Sequence, residues 1–244
     1  MAHATRNLTC EAIGTFALTF IGAGAILTTT WTDGQPGLVG IALAHGLILA
    51  IVVSATMNIS GGHINPAVTV AMIVTRRIEA GAGIAYIVAQ CVGATIAGVL
   101  LAVIFGSLGD AGGAMTGSAA IDACKLGTPN FGTGVSTGMA VIVEIILTFL
   151  LVFAIFGTAV DERAPKIGGF GIGLTVSVDI LMGGPITGAA MNPARTLGTL
   201  LGGGNATSSL WSQHWVYWAG PIIGAVLAAV IYDAFIMSKT PSSD

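Results

Sequence analysis

Residues 60–69 read SGGHINPAVT and residues 187–196 read TGAAMNPART, and both stretches interrupt apolar sequence with an Asn-Pro-Ala triplet. The two triplets consist of Asn65, Pro66 and Ala67 and of Asn192, Pro193 and Ala194. Asn is a favourable helix N-cap, because its side-chain oxygen accepts a hydrogen bond from a free N–H of the first turn. Pro suits the first helical position, where its missing N–H would have no partner anyway. Each triplet therefore predicts a helix that starts within hydrophobic surroundings.

The composition of the whole chain is typical of a membrane protein. Of its 244 residues, 54% are hydrophobic and only 8% are charged, and the mean hydropathy is +0.91. Soluble domains carry about 25% charged residues, so these few charges could not cover a wetted surface. The net charge of −3 and the lack of a basic patch exclude a nucleic-acid partner. Three scattered cysteines without a CxxC pair argue against a disulfide framework and a metal site.

Six apolar stretches reach the length of about 20 residues that a membrane-spanning helix needs. They cover residues 8–30, 38–59, 84–106, 135–157, 167–187 and 213–237. Two shorter runs, Ala67–Thr75 and Ala194–Leu201, follow directly on the Asn-Pro pairs. At 1.5 Å per residue they cover about 12–14 Å, near half of a ~30 Å hydrocarbon core. We therefore predict two half-helices that enter the membrane and stop.

The two halves of the chain repeat each other. The stretch EAIGTFALTF, which begins at Glu11, recurs as EIILTFLLVF, which begins at Glu144. Asn65 follows Glu11 after 54 residues, and Asn192 follows Glu144 after 48 residues. Each half thus forms one unit of helix, helix, half-helix and helix.

Each unit contains three full spans, so the second unit must lie upside down relative to the first. Inverted repeats of this kind place their functional site at the membrane midplane and build it from broken helices. We expect a single domain over residues 1–244, with repeat one at about 8–106, a loop at 107–134 and repeat two at about 135–237.

Half-helices that enter from opposite faces would meet at the midplane by their N-termini. Each terminus carries about half a positive charge, and the side-chain amides of Asn65 and Asn192 are expected to donate toward the same point. A water molecule there would accept from both amides and turn its hydrogens outward, which breaks a proton wire, while the positive field repels cations. The pattern predicts selective passage of neutral polar molecules.

The residues that precede each triplet are expected to line the inner pore, largely with backbone carbonyls. Non-helical backbone at this depth is tolerated only where it is buried in protein or lines a wet cavity. The expected lining residues are Gly61, Gly62, His63, Gly188 and Ala190.

Several charged residues fall within the apolar segments, where charge is costly. Arg195 lies in the second half-helix, and we expect it to have a functional role. Glu11 and Glu144 could relay protons, as in a transporter. Their symmetric placement favours a structural role instead, in which each carboxylate accepts hydrogen bonds from the irregular backbone before a half-helix.

These residues together resemble the aquaporin, or major intrinsic protein, family. The likeness covers nearly the whole chain: both Asn-Pro-Ala boxes, Arg195 after the second box, Glu-x-x-x-Thr-Phe in each half, and WVYWAGPIIGA at 215–225. The resemblance implies an all-α membrane fold of six transmembrane helices plus two re-entrant half-helices in an inverted repeat. It also implies a homotetramer in the lipid bilayer, with one pore per subunit, that conducts water and small neutral solutes without a cofactor.

In that family a constriction of four positions selects the solutes. By the resemblance these positions fall on His45, Ile180, Ala189 and Arg195. The set departs from both water-selective members and glycerol facilitators and is most similar to that of plant vacuolar members, which the resemblance links to water plus ammonia or urea. Thr196 and Leu200 stand where glycerol facilitators carry Asp and a basic residue. We therefore expect water as the main substrate and a permissive filter that could also pass ammonia, urea or glycerol.

The alternative function is an ion- or proton-coupled secondary transporter, because inverted repeats with broken helices also suit that class. Coupling would need titratable or cation-ligating groups near the midplane, where the sequence places amides and helix N-termini. An enzyme is not expected, since the sequence contains no Ser/His/Asp or Cys/His grouping at a suitable spacing and no cluster of metal ligands.

The positions of Lys and Arg predict the orientation, because cytoplasmic loops carry an excess of basic residues. With the N-terminus inside, six of the 8 basic residues lie on the cytoplasmic side. These six are Arg6, Arg76, Arg77, Arg163, Lys166 and Lys239. We expect a multi-pass protein with both termini in the cytoplasm, in the plasma membrane of a prokaryote.

Overall fold

The computed structural model describes residues 2–110, 112, 114–165 and 167–237. Lys166 and Lys239, which entered the prediction of orientation, lie outside the described residues. The described chain is helical apart from its loops and one isolated bridge between Asp110 and Thr116.

Nine α-helices follow one another in the described ranges, and six of them belong to segments long and apolar enough to cross a membrane. The helices are α1 (Ala2–Trp31), α2 (Gly37–Thr56), α3 (Pro66–Val74), α4 (Ala80–Gly106), α5 (Gly117–Cys124), α6 (Thr137–Ile155), α7 (Phe170–Thr187), α8 (Pro193–Gly202) and α9 (Val216–Ile231). A π-helical segment follows each of two spanning helices: Phe156–Val160 extends α6, and Tyr232–Ile236 extends α9. The spanning segments correspond to α1, α2, α4, α6, α7 and α9, and α3 and α8 are the half-helices.

The predicted set of six spans and two half-helices is confirmed, with boundaries that differ by at most six residues. Two boundaries differ by six residues. Helix α1 begins at Ala2 rather than at residue 8, because the helix continues through polar residues beyond the apolar stretch, and α9 ends at Ile231 rather than at residue 237, where a π-helical segment continues it.

The predicted loop at 107–134 is not wholly irregular, because it contains α5. Thr116 caps this helix by accepting a hydrogen bond from the Ala119 N–H at 3.2 Å. Lys125 and Leu126 end it with positive φ angles of 54° each. A helix of 8 residues is too short for its periodicity to stand out from a Gly-rich stretch.

The outer surface of the bundle is apolar, unlike that of a soluble protein. Ile51, Ile84 and Val103 on spanning helices each expose 60% or more of their surface. Charged and amide side chains such as Glu11 and Gln90 are instead completely buried. Apolar side chains outside and ionisable side chains confined to the interior are the arrangement that a lipid environment favours.

Helix pairs that correspond in the two repeats cross at glycines. A Cβ atom on Gly93 of α4 would meet the carbonyl oxygen of Ala12 on α1. In the second repeat a Cβ on Gly224 of α9 would meet the carbonyl oxygen of Ile145 on α6. Ala12 and Ile145 each follow the repeated Glu, so the crossings are equivalent. Small residues let membrane helices approach this closely, where van der Waals packing holds them.

The crossing of α2 with α7 relates the two halves to each other. A Cβ on Gly46 would meet the carbonyl oxygen of Gly173, and a Cβ on Gly173 would meet the carbonyl oxygen of Gly46. This reciprocity is what two helices exchanged by the two-fold axis of an inverted repeat must show.

The crossings predict a matched pair of destabilising substitutions. Gly93→Ala and Gly224→Ala should each lower the free energy of unfolding by about 1–3 kcal/mol, because overpacking forces the helices apart. Gly81→Ala, in the first turn of α4, is the control, since a Cβ there meets nothing within 4 Å. Thermal unfolding of the detergent-solubilised protein, followed by circular dichroism, measures the effect. Equal midpoint temperatures of unfolding for Gly93→Ala and Gly81→Ala would contradict the assignment of these crossings.

Candidate functional site

The two half-helices begin in the same way, directly after an asparagine. Asn65 Oδ1 accepts a hydrogen bond from the Ala67 N–H at 2.9 Å. Asn192 Oδ1 accepts from the N–H groups of Ala194 and Arg195 at 3.1 and 3.2 Å. Both asparagines have extended backbone and are followed by Pro in the first helical position. The local sequence therefore starts a capped helix at each Asn-Pro-Ala triplet.

Reciprocal hydrogen bonds join the starts of the two half-helices. Asn65 Nδ2 donates to the carbonyl oxygen of Met191 at 2.7 Å, and Asn192 Nδ2 donates to that of Ile64 at 2.9 Å. Ile64 and Met191 both adopt left-handed backbone, with φ of 55° and 50°. Such angles are uncommon for side chains other than glycine, and for Ile they are an outlier.

These bonds modify the expectation that the asparagine amides are wholly free to face the lumen. Each amide carries two N–H donors, and the opposite loop takes one of them because buried carbonyls require partners. One donor of Asn65 and one of Asn192 are left for a molecule in the pore.

The carboxylate of Glu11 holds the loop before α3. Its Oε1 accepts from Ser60 Oγ at 2.7 Å and from the His63 N–H at 3.0 Å. Its Oε2 accepts from the Ile64 N–H at 2.6 Å and from Gln90 Nε2 at 2.7 Å. All of the hydrogen bonds described for this carboxylate thus serve the scaffold.

Glu144 does the same for the loop before α8. Its Oε1 accepts from Thr187 Oγ1 at 2.7 Å and from the Ala190 N–H at 2.9 Å. Its Oε2 accepts from the Met191 N–H at 2.8 Å. Both carboxylates are fully buried, and neither is among the residues that line the cavities described next.

Two cavities lie along the axis between the repeats. The midplane cavity, of about 240 Å³, is lined by Asn65 and Asn192 and extends to Arg77. The loop-side cavity, of about 260 Å³, is lined by the segment 127–130 and Gly132. The residues that line both cavities are His45, Ile180 and Arg195. The two cavities therefore adjoin at these three side chains, and a path through both would pass between them.

The other predicted lining residues divide between the two cavities. Gly61, Gly62, His63, Ala189 and Ala190 line the midplane cavity, whereas Gly188 lines the loop-side cavity. The remaining members of the two triplets are buried in the helix starts and are not among the lining residues: Pro66, Ala67, Pro193 and Ala194.

Arg195 and His45 form a polar pair at the junction of the cavities. Arg195 Nη2 lies 2.9 Å and its Nε lies 3.3 Å from His45 Nε2. His45 Nδ1 lies 2.8 Å from the carbonyl oxygen of Ile41. Because a carbonyl only accepts, the imidazole proton must reside on Nδ1, and Nε2 is then the acceptor for the guanidinium.

The guanidinium has more N–H donors than its hydrogen bonds to His45 use. Arg195 is 2% exposed, and its Nη1 has no hydrogen-bond partner among the residues that the structure describes. Ile180 and Ala189 offer only apolar surface. The junction thus combines a polar side, formed by His45 and Arg195, with an apolar side.

Arg77, which lines the far end of the midplane cavity, forms an ion pair that the sequence did not indicate. Arg77 Nη2 lies 2.6 Å from Asp233 Oδ1, and its guanidinium lies 5.3 Å from the ring centroid of Phe156. Nearby, hydrogen bonds from Arg163 lower the pKa of Asp161 to about 2. Arg163 and Asp161 therefore remain paired at neutral pH beside the C-terminal end of α9.

Gln90 and Asp179 are buried polar residues for which the sequence indicates no role. Gln90 donates to Glu11 and also to Thr69 Oγ1, at 3.1 Å. A Gln within an apolar span was a signal that could have identified it. Asp179 is 3% exposed, does not line either cavity, and its Oδ2 has no partner in the described part of the chain. Nothing in the structure explains this residue.

Comparisons with known proteins agree on one family. The family model described as Major intrinsic protein matches residues 1–232. The chain is 39% identical over 246 residues to Aquaporin TIP4-4 of Zea mays, covering 98% of this chain and 89% of that protein. It is 40% identical over 245 residues to Probable aquaporin TIP3-2 of Arabidopsis thaliana, covering 95% and 84% of the two chains.

The fold is similar to that in the X-ray structure of the aquaglyceroporin from Plasmodium falciparum. The TM-score is 0.81, the identity is 22%, and the match covers 96% of this chain and 97% of the other. Nothing in the comparisons favours a coupled transporter, and the family consists of channels rather than enzymes. The chain therefore belongs to the major intrinsic protein family, the aquaporins, and is a passive multi-pass membrane channel for water and small neutral solutes.

Proposed function

We propose that water is the main substrate of this channel and that His45, Ile180, Ala189 and Arg195 form a filter that also admits ammonia and urea. The observation that carries this proposal is the Arg195 guanidinium, which lines both cavities beside an apolar wall and has more N–H donors than its contact with His45 uses. A molecule in the filter must replace the hydrogen bonds that it made to bulk water. Water, ammonia and the carbonyl oxygen of urea can each accept from the guanidinium.

The apolar side of the filter sets how many polar groups a solute can carry. Ile180 provides no hydrogen bond, so every further hydroxyl group facing it loses its water without a replacement. Ala189 leaves space that a larger side chain would fill. We therefore expect glycerol to pass more slowly than urea. Thr196 and Leu200 agree with this expectation, because glycerol facilitators carry Asp and a basic residue at these two positions.

Exclusion of protons is assigned to the midplane rather than to the filter. The N-termini of α3 and α8 each place about half a positive charge there. The remaining N–H donors of Asn65 and Asn192 orient a water molecule by its oxygen, so that its own hydrogens point away from the pore centre. Neighbouring waters on the two sides then cannot pass a proton through it.

Glu11 and Glu144 are assigned to the scaffold, and no role in proton transfer is proposed for them. The carboxylate oxygens accept from backbone N–H groups of the loops that carry the half-helices. Neither residue lines a cavity, so a proton on either carboxylate has no direct contact with the pore.

The oligomeric state, orientation and location of the channel are also proposals. A homotetramer is expected from the family, with one pore in each subunit. The orientation with both termini in the cytoplasm is supported by Arg77 and Arg163, which contact Asp233 and the Ile236 carbonyl at the C-terminal end of the last span. The relatives reported above come from plants, so they do not support the plasma membrane of a prokaryote. That location stays a prediction.

The filter assignment predicts the outcome of two substitutions. His45→Phe should lower the urea-to-water permeability ratio by roughly tenfold, because the larger phenyl ring narrows the junction and cannot accept a hydrogen bond from Arg195. Ile180→His should lower the same ratio, because it replaces the apolar wall by a polar, water-binding one. Stopped-flow light scattering of proteoliposomes with water, urea, glycerol and ammonia measures the ratios.

Leu181→Val is the matched control for the filter variants, since Leu181 follows Ile180 on α7 but is 43% exposed on the outer face. It should leave all ratios unchanged. If both filter variants also retain the parent ratios, the filter does not lie at these residues.

The scaffold assignment predicts that Glu144→Gln destabilises the protein. The amide group of Gln would place a donor against the N–H groups of Ala190 or Met191, and a buried unsatisfied donor costs about 1–3 kcal/mol. Thermal unfolding should therefore shift to lower temperature, while the folded fraction still shows water flux without proton movement. Proton-driven accumulation of a solute by the parent protein, abolished in Glu144→Gln with no loss of stability, would instead support a transporter.

A further inference from the structure

Gly22 of α1 lies against the imidazole ring of the filter residue His45. A Cβ atom built on Gly22 would lie 2.9 Å from His45 Cε1 and closer still to Nε2 and Cδ2. Real Cβ atoms essentially never approach other heavy atoms within 3.0 Å. The ring therefore occupies the space in which any side chain at position 22 would begin.

The imidazole is held at both of its nitrogen atoms. Its Nδ1 is bound to the carbonyl oxygen of Ile41, one turn back on the same helix, and its Nε2 accepts from Arg195. The atoms nearest to Gly22 include Nε2, which is the atom that meets the guanidinium. A methyl group at position 22 would displace the edge of the ring that makes this contact.

The helix that carries His45 cannot move away to relieve such a clash. Gly46, the next residue of α2, is in backbone contact with Gly173 of α7, and a Cβ on Gly46 would also meet Ser177 Oγ. The open space beside the ring is the path itself, because His45 lines both cavities. A displaced imidazole would therefore turn into the path.

We propose that Gly22 is a positioning residue for solute selection: its missing side chain holds His45 beside the path and against Arg195. The inference rests on the proposed filter role of His45. A substitution at position 22 should therefore change permeation because it displaces His45, and not because it disturbs the general packing of α1. Solutes wider than water are then the most sensitive to a substitution at position 22.

A double-substitution cycle tests this dependence with Gly22→Ala, His45→Ala and the double variant in proteoliposomes. Gly22→Ala should lower the urea-to-water permeability ratio by about tenfold, the size of effect that a steric change in a selective pocket produces. In the His45→Ala background the same substitution should change the ratio by less than about twofold, because the two sites are then no longer coupled.

The control is Gly24→Ala, two residues further along α1. A Cβ there has only Leu101 Cδ2 within 4 Å, at 3.4 Å, which is ordinary contact. This variant should keep the parent ratio in both backgrounds. An equal loss for Gly22→Ala with and without His45, or no loss in the parent background, would overturn the inference.

A failure of Gly22→Ala to fold would also be decisive. If the methyl group and the imidazole compete for one space, the double variant must recover the yield of folded protein that the single variant loses. A double variant that folds as poorly as Gly22→Ala would overturn the inference. An unchanged ratio for His45→Ala alone would remove the filter proposal and this inference together, whereas a change for His45→Ala without one for Gly22→Ala removes the inference only.

Discussion

The structure depends on two helices that start in the middle of the membrane and are joined there by reciprocal hydrogen bonds. Non-helical backbone survives at this depth only if its polar groups have partners within the protein or in a wet cavity. Asn65 and Asn192 each cap their own helix and donate to the opposite loop. Glu11 and Glu144 accept from the N–H groups of the same loops. The glycine crossings serve this arrangement, because only closely packed spans can hold buried carboxylates at the required distance.

The features that the two repeats share and the features in which they differ serve different purposes. The features that the two repeats share form the scaffold: the capping asparagines, the buried carboxylates and the glycine crossings. Selectivity is assigned to a position where the repeats differ, since Val68 of the first repeat corresponds to Arg195 of the second. Val68 lines the midplane cavity without a polar group, whereas Arg195 binds His45 at the junction of the two cavities. The proposed filter therefore lies to one side of the midplane.

Features set by local sequence were predictable, and features set by contacts between distant segments were not. Apolar length identified the six spans, and Asn-Pro identified the starts of α3 and α8. The hydrogen bond from Asn65 to Met191 joins residues 126 positions apart, so no local pattern could show which amide donor is used. The contact of Gly22 with His45 likewise arises only when α1 packs on α2. The short helix α5 was missed because its few residues follow a Gly-rich stretch.

The opposed helix N-termini and the two asparagine amides are proposed to let water pass while they stop protons. The most direct measurement combines water and proton flux in one preparation of proteoliposomes that contain a pH-sensitive dye. An osmotic gradient reports the water permeability, and a pH gradient at zero membrane potential reports the proton leak. We expect the water permeability to rise with the amount of protein while the proton leak remains that of protein-free liposomes. A proton leak that rises in proportion to the water permeability would show that the midplane does not stop protons.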